Sequence, residues 1–339
     1  MDTCESRVVT LNPAMIKIIE ESKKIESLAI VIPVFNEEKV ISELFRQLRE
    51  AVSFFHKEID VQVIFVNNGS TDQTVDEIVR HWEGAFKTQI LTLSRNFGYE
   101  AGIIAGLEYA NCDLYSVVDG DGEDPISLLP KFLDEILSGV DIVQGLRLKR
   151  SESQLLQLFR KFSYSLLSKV SDEPFRVNSG NFSMFTRDVR NGILRENNLF
   201  PFMRVTLSRI GYNFVQIPHD RNERIDGKSH YRKIALVKFA ILGFLTTTTW
   251  PLRFSMYWAL LVAPLTTFVI FLSFFKEISI DFWLKLLVFE ISQIFVFTGI
   301  VAIYIARIYK FVLGRPQYYY DLSRSYSNFD ELPKRIAPE

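Results

Sequence analysis

Between Asp119 and Asp124 the chain places four carboxylates in six residues, Asp119, Asp121, Glu123 and Asp124, separated by Gly120 and Gly122. Anionic side chains this close repel one another unless a cation lies among them, and hard oxygen donors suit Mg²⁺ or Mn²⁺. An acidic surface turn has the same composition, so the spacing alone leaves both readings open. The residues just before, Leu114 to Val118, form a short apolar run, which puts the acidic group at the expected exit of a buried strand.

The same arrangement recurs upstream. Leu28 to Val34 (LAIVIPV) runs into Phe35, Asn36, Glu37 and Glu38, and Val40, Leu44, Leu48 and Val52 then mark a helical stripe. Val61 to Val66 (VQVIFV) leads to Asn67, Asn68, Gly69, Ser70, Thr71 and Asp72, with a helix through Val75 and Ile78. Thr88 to Leu93 leads to Ser94 to Gly98 and a helix through Ile104 and Leu107. Strands alternating with helices predict parallel βαβ units, whose ligands bind beyond the carboxyl ends of the strands. Asn36 with Glu37, Asn68 with Asp72, Arg95 with Asn96, and Asp119 with Asp121 are therefore expected around one crevice. Neither GxxxxGK[ST] nor GxGxxG occurs, which disfavours a P-loop NTPase or a Rossmann dehydrogenase.

A net charge of −1 over 339 residues argues against general nucleic-acid binding. Cys4 and Cys112, the only cysteines, suggest neither a disulfide framework nor a thiolate metal site, and a reducing compartment fits. Residues 1–27 mix Lys and Glu without an uninterrupted apolar core, so no cleavable signal peptide is expected; Met15 to Ile25 reads as a short amphipathic helix.

Beyond residue 250 the composition changes. Phe254 to Phe275 has 22 residues without a charge, and Leu286 to Ala306 has 21 interrupted only by Glu290. Each is long enough to cross a hydrocarbon core of about 30 Å, and together they predict a transmembrane hairpin. Arg253 precedes it and Arg307, Lys310 and Arg315 follow it, which places both ends in the cytoplasm. Ile234 to Thr249 reads as an interfacial helix. Glu290 is costly in lipid and is expected at a contact of a homo-oligomer; exchange for Gln would then alter oligomer size.

VIPVFNE (31–37), VNNGSTD (66–72), SRNFGYEAGIIAGL (94–107) and VVDGDGEDP (117–125) resemble the successive motifs of family 2 glycosyltransferases. SGNFSMFTRDV (179–189), RNERIDGKSHY (221–231) and TTTWPLR (247–253) narrow the resemblance to polyisoprenyl-phosphate glycosyltransferases, relatives of dolichyl-phosphate mannose synthase. It covers roughly residues 28–310 and implies an α/β fold of the GT-A kind, with a mainly parallel sheet, followed by the two-helix C-terminal hairpin. The expected organisation is a leader (1–27), a catalytic domain (28–232), an interfacial helix (233–253), two transmembrane helices (254–310) and a cytoplasmic tail (311–339). A bacterial inner or plasma membrane with a cytoplasmic catalytic domain is the implied setting.

The resemblance further implies an inverting, metal-dependent transfer of a hexose from a nucleotide sugar to an undecaprenyl-type polyprenyl phosphate. Asp119 and Asp121, with Glu123 where the family usually has Gln, would hold Mg²⁺ or Mn²⁺, and Arg224 would stabilise the departing diphosphate beside them. Pro33, Phe35, Glu37, Asn68, Gly120 and His230 would meet the nucleotide, and Arg147, Arg160 with Lys161, and Ser163 the acceptor phosphate. Asn67 and Asn68 stand where the family usually has Asp-Asp; an amide both donates and accepts, which suits uracil over guanine and favours a UDP-sugar. Tyr99 and His230 stand for frequent lysines, and Asn181 for a frequent Asp. A family 2 enzyme with another acceptor, a catalytically silent subunit and a soluble nucleotidyltransferase are the competing readings; the hairpin speaks against the last.

Overall fold

The computed structural model describes residues 25–55, 59–82, 86–148, 179–196, 203–222, 248–275 and 279–329. Its first strand, β1 (Ser27–Val34), buries every residue after Ser27, as a strand covered on both faces must. It is followed by α1 (Ile41–Ser53), β2 (Asp60–Asn67), α2 (Thr74–His81), β3 (Lys87–Thr92), α3 (Tyr99–Tyr109) and β4 (Leu114–Val117). These are the alternating units expected from the hydrophobic runs.

Then come α4 (Leu129–Leu137), β5 (Ile142–Arg147), β6 (Ser179–Thr186), α5 (Arg187–Arg195), α6 (Met203–Arg209) and β7 (Phe214–His219). With a two-residue strand near the C-terminus, β8 (Tyr326–Ser327), they make an eight-stranded sheet in the order β7-β5-β6-β4-β1-β2-β3-β8. β4, β1, β2 and β3 run parallel, whereas β6 is antiparallel to both β4 and β5. The sheet is mixed but mostly parallel, as GT-A requires. In register, Val34 lies beside Asn67 and Asn67 beside Thr92, so three successive strands release their loops at one edge.

Apolar layers cover both faces. On one, α1 buries Ile41, Leu44, Phe45 and Leu48 against Ile30, Ile32 and Phe65, and Phe45 stacks on Phe65 and Phe86 with ring centroids 5.3 and 5.7 Å apart. On the other, Ile103 and Leu107 of α3 cover Val31, Ile64 and Val66. Burying one such side chain contributes about 1.5–3 kcal/mol, so these layers fix the frame on which the loops stand.

Two further helices, α7 (Trp250–Ser273) and α8 (Ile280–Val312), are long and apolar enough to cross a membrane. α8 buries none of its residues and α7 only Pro251. They join through the indole of Trp258, which donates to the Gln293 amide, and Tyr304 donates its hydroxyl to the Thr248 carbonyl at 2.9 Å. Beyond α8 the chain returns to the sheet. Residues expected as a separate polar tail form β8, antiparallel to β3, with Tyr320 bridged to Leu93. The edge of β3 offers unpaired backbone groups that even a short polar segment can fill. The expected leader up to residue 24 and the interfacial helix up to residue 247 lie outside the described residues, and Ser27 already belongs to β1.

Candidate active site

The loops leaving β1, β2 and β3 are knitted together largely by amides and hydroxyls, with the Asp72 carboxylate accepting from the Glu38 amide and the Glu38 carboxylate from the Gln73 amide. Asn36, held at φ 57° in the left-handed region, accepts from the Thr71 amide at 2.8 Å and donates its own amide to Ser70 Oγ at 3.1 Å. Glu37 donates its amide to Thr74 Oγ1 (2.8 Å), and Asn67 accepts from the Ser70 amide (2.9 Å). Asn68, expected at the base, spends its amide on the next loop. Its oxygen accepts from the Phe97 amide at 2.9 Å and its nitrogen donates to the Gly98 carbonyl at 2.9 Å. Pro33 is buried at the strand end and Phe35 is 40% exposed at the rim. Gly120 fits because the acidic loop crosses β1 closely: a Cβ there would lie 2.6 Å from the Pro33 carbonyl oxygen.

The loop leaving β4 is held by charge. Asp119 accepts from the Tyr99 hydroxyl through one oxygen and from Arg147 Nη2, at 2.8 Å, through the other. The same Arg147 nitrogen lies 3.1 Å from Asp124, which is fully buried, and His219 Nε2 stands 3.8 Å from that carboxylate. Burial raises the Asp119 carboxyl to about 6, and the negative charges of Asp124 and Asp121 add to the rise while Arg147 opposes it. Burial also pushes Asp124 up, but His219 and Arg147 together hold it below the usual carboxylate range. The Tyr99 phenol is raised by burial and by Asp119, so it stays a proton donor.

Asp121 accepts from the Glu123 amide at 3.1 Å, and Glu123 pairs with Arg221. Among the described residues no three carboxylates or imidazoles converge closely enough to hold a metal by themselves. The donor set still fits Mg²⁺ or Mn²⁺, because such ions are commonly bound by one or two carboxylates together with substrate phosphates and water. The observation behind that fit is the donor set itself, the Asp119 and Asp121 carboxylates on one loop at the exit of β4. Arg147 itself lies inside this carboxylate group, and its buried Nε has no hydrogen-bond partner among the described residues. Arg160, Lys161, Ser163, Arg224 and His230 lie outside the described residues.

Three site residues were not foreseen. Glu100, beside Tyr99, is half-buried near the Asn181 amide and accepts from the Met203 amide at 3.2 Å; desolvation raises it to about 7, against the pull of Arg204. Asp124 belongs to the acidic run, but nothing in the run distinguishes its buried partner-holding role. His219 comes from β7, roughly a hundred residues on, with no local motif to announce it.

Residues 29–194 match the model of glycosyl transferase family 2. The chain is 32% identical over 240 residues to the prophage bactoprenol glucosyl transferase homolog of Escherichia coli, covering 70% of this chain and 77% of that one. It is 29% identical over 299 residues to the uncharacterized glycosyltransferase YkcC of Bacillus subtilis, covering 86% and 92%. Among solved structures, glucosyl-3-phosphoglycerate synthase of Mycobacterium tuberculosis overlays with a TM-score of 0.47 at 17% identity, over 67% of this chain and 80% of that one. From the motifs at the strand ends, the mixed sheet that carries them, the family model and the bactoprenol glucosyl transferase homolog, the chain belongs to glycosyltransferase family 2, in its polyisoprenyl-phosphate branch.

Proposed function

We propose that the chain transfers a hexose from a UDP-sugar to an undecaprenyl-type polyprenyl phosphate at a membrane surface, with inversion at the anomeric carbon. The observation that carries this reading is Asp119, bonded at once to Tyr99 on one side of the crevice and to Arg147 on the other. A nucleotide diphosphate lying along the neutral loops would bring its phosphates to that carboxylate.

Asp119 and Asp121 would hold Mg²⁺ or Mn²⁺, which when bound supplies charge neutralisation for a departing diphosphate. Arg224 would share that task through bidentate bonds to phosphate oxygens. A lipid phosphate is already anionic at neutral pH, so its oxygen attacks the anomeric carbon without a strong general base. The carbon–diphosphate bond breaks as the new carbon–oxygen bond forms on the opposite face, giving a β-linked product from an α-linked donor. Arg160 and Ser163, with Arg147 at the end of β5, would meet the acceptor phosphate.

Asn67 and Asn68 in place of a carboxylate pair leave no anionic acceptor for the donor-rich edge of guanine, which supports uracil, and the names of the bactoprenol relatives support both the lipid acceptor and glucose as the first sugar to try. Membrane insertion is supported by the uncovered apolar sides of α7 and α8. The return of the chain from α8 to β3 supports a hairpin whose ends share one side, in agreement with Arg253, Arg307, Lys310 and Arg315. That side would be the cytoplasm.

The test is transfer of label from UDP-glucose, UDP-galactose, UDP-N-acetylglucosamine and GDP-mannose to undecaprenyl phosphate with Mn²⁺, beside an Asp121→Ala control. Metal-dependent lipid label from one UDP-sugar is expected. Label only from GDP-mannose, or none from any donor with folded protein, would overturn the reading.

A further inference from the structure

The segment after α8 does more than close the sheet. Six residues past Val312, from Tyr318, it lies along β3 and the loop that follows, Ser94 to Gly98. Ser94 donates its amide to the Tyr319 carbonyl at 2.8 Å, and Asp321 donates its amide to the Thr92 carbonyl at 2.7 Å. Thr92 is enclosed from both sides: its amide donates to Ser325 Oγ (2.9 Å) and its hydroxyl to the Arg324 carbonyl (2.5 Å). Farther along, Asn328 exchanges two bonds with Thr88, at 2.8 and 3.1 Å.

Side chains extend the grip to the loop and to α3. The Tyr319 ring meets Phe97 at 6.1 Å, and the Arg95 guanidinium covers the other ring contact at 4.1 Å from the Phe97 centroid. Tyr320 donates its hydroxyl to the Ala105 carbonyl at 2.8 Å, and Tyr318 donates to Glu108.

What this segment holds is the partner of Asn68. Phe97 and Gly98 supply the amide and carbonyl that fix the Asn68 side chain, and Asn96 lies 3.3 Å from its nitrogen. Gly69 presses on the same loop at φ 76°, where a Cβ would fall 2.9 Å from the Arg95 carbonyl carbon, so the loop has a fixed inner face. Loops gain order only from what packs on them. Here the outer packing is the end of the hairpin.

We propose that Tyr318 to Asn328 is a positioning strap for the donor-side loop, with Tyr319 and Tyr320 as its positioning residues. Seating of the segment that follows α8 thus sets the nucleotide site. This rests on the crevice being a UDP-sugar site, as proposed above.

Two full-length variants test it, Tyr319→Ala/Tyr320→Ala and the ring-preserving Tyr319→Phe/Tyr320→Phe. Hydrogen exchange at Ser94, Phe97 and Gly98 is measured against Ile30 and Ile32 in β1, and UDP affinity is measured with Mn²⁺. The alanine pair is expected to speed exchange in the loop alone and to weaken UDP about tenfold, while the phenylalanine pair stays within about twofold of the parent. KM for the donor should rise with kcat and the lipid KM little changed. Unchanged loop exchange and UDP affinity would overturn the strap, as would uniform acceleration through β1, which assigns the segment to fold stability alone. If the parent protein binds no UDP, the donor-site reading fails on its own, and loop exchange still decides whether the strap orders Phe97.

Discussion

The two walls of the crevice are held by different forces. Along β2 and β3 the contacts are amides and hydroxyls: Asn67 to Ser70, Asn68 to Phe97 and Gly98, Asn36 to Thr71. Along β4, β5 and β7 they are charges, with Arg147 between Asp119 and Asp124 and His219 behind. The neutral wall is complete as it stands. The charged wall sets Asp119 and Asp124 on one guanidinium, Arg147, and burial together with the neighbouring carboxylates raises Asp119 to about 6. On the proposed function, one wall would seat an uncharged group and the other a cation with a diphosphate.

The largest contrast should come from Asp119→Asn. It keeps the shape of the charged wall and removes its charge, so lipid-linked product formation should fall by about a thousandfold, as losses of pre-placed electrostatic groups do. Retention of more than about a tenth of the parent rate would deny Asp119 its role.

Arg147→Met comes next. It leaves Asp124, fully buried, without its guanidinium, and breaking one side of a buried pair costs about 3–5 kcal/mol. Denaturant unfolding reads this directly, and a loss under about 1 kcal/mol would mean that the charged wall is not held by this pair.

Glu100 supplies a pH signature. Its carboxyl is raised from 4.5 to about 7, so the folded chain binds the proton more tightly than the unfolded chain. The resulting stability is present below about 4.5 and is lost as pH rises through about 7. Relative to Glu100→Gln, the parent should lose about 3 kcal/mol between pH 4.5 and pH 8. Parallel stability curves for the two proteins would show that the proton is not held there.

Asn68→Ala should have the smallest effect of the four on stability, about 1–3 kcal/mol, because it strands only neutral backbone groups of Phe97 and Gly98. If it proves more damaging than Arg147→Met in the same unfolding experiment, the contrast between the walls is wrong.

The sequence carried the first half of the sheet plainly. β1 to β4 are β-branched runs broken by polar residues at one edge, and the two apolar helices are long enough to cross a membrane and have no part of their most apolar stretch buried. Burial on both faces and membrane-length apolarity are local properties, so they can be read locally. The parts that were not legible are those made by distance. β8 is two polar residues recruited by an open strand edge, and nothing in Tyr326 and Ser327 announces a strand. The partners that hold the Asn68 amide, Phe97 and Gly98, depend on how two loops cross and have no local signature. The acidic run was visible as a group, but its division into Asp119 at the crevice and Asp124 beneath it depends on Arg147 and on His219 from β7.

The most direct measurement is a calorimetric titration of the full-length protein with UDP, with and without Mn²⁺. If the neutral wall seats the nucleoside and the charged wall takes the diphosphate through a cation, UDP binding should require Mn²⁺ and weaken at least tenfold without it. Uridine, which lacks phosphates, should be indifferent to the metal. UDP binding of equal strength with and without Mn²⁺ would contradict the account.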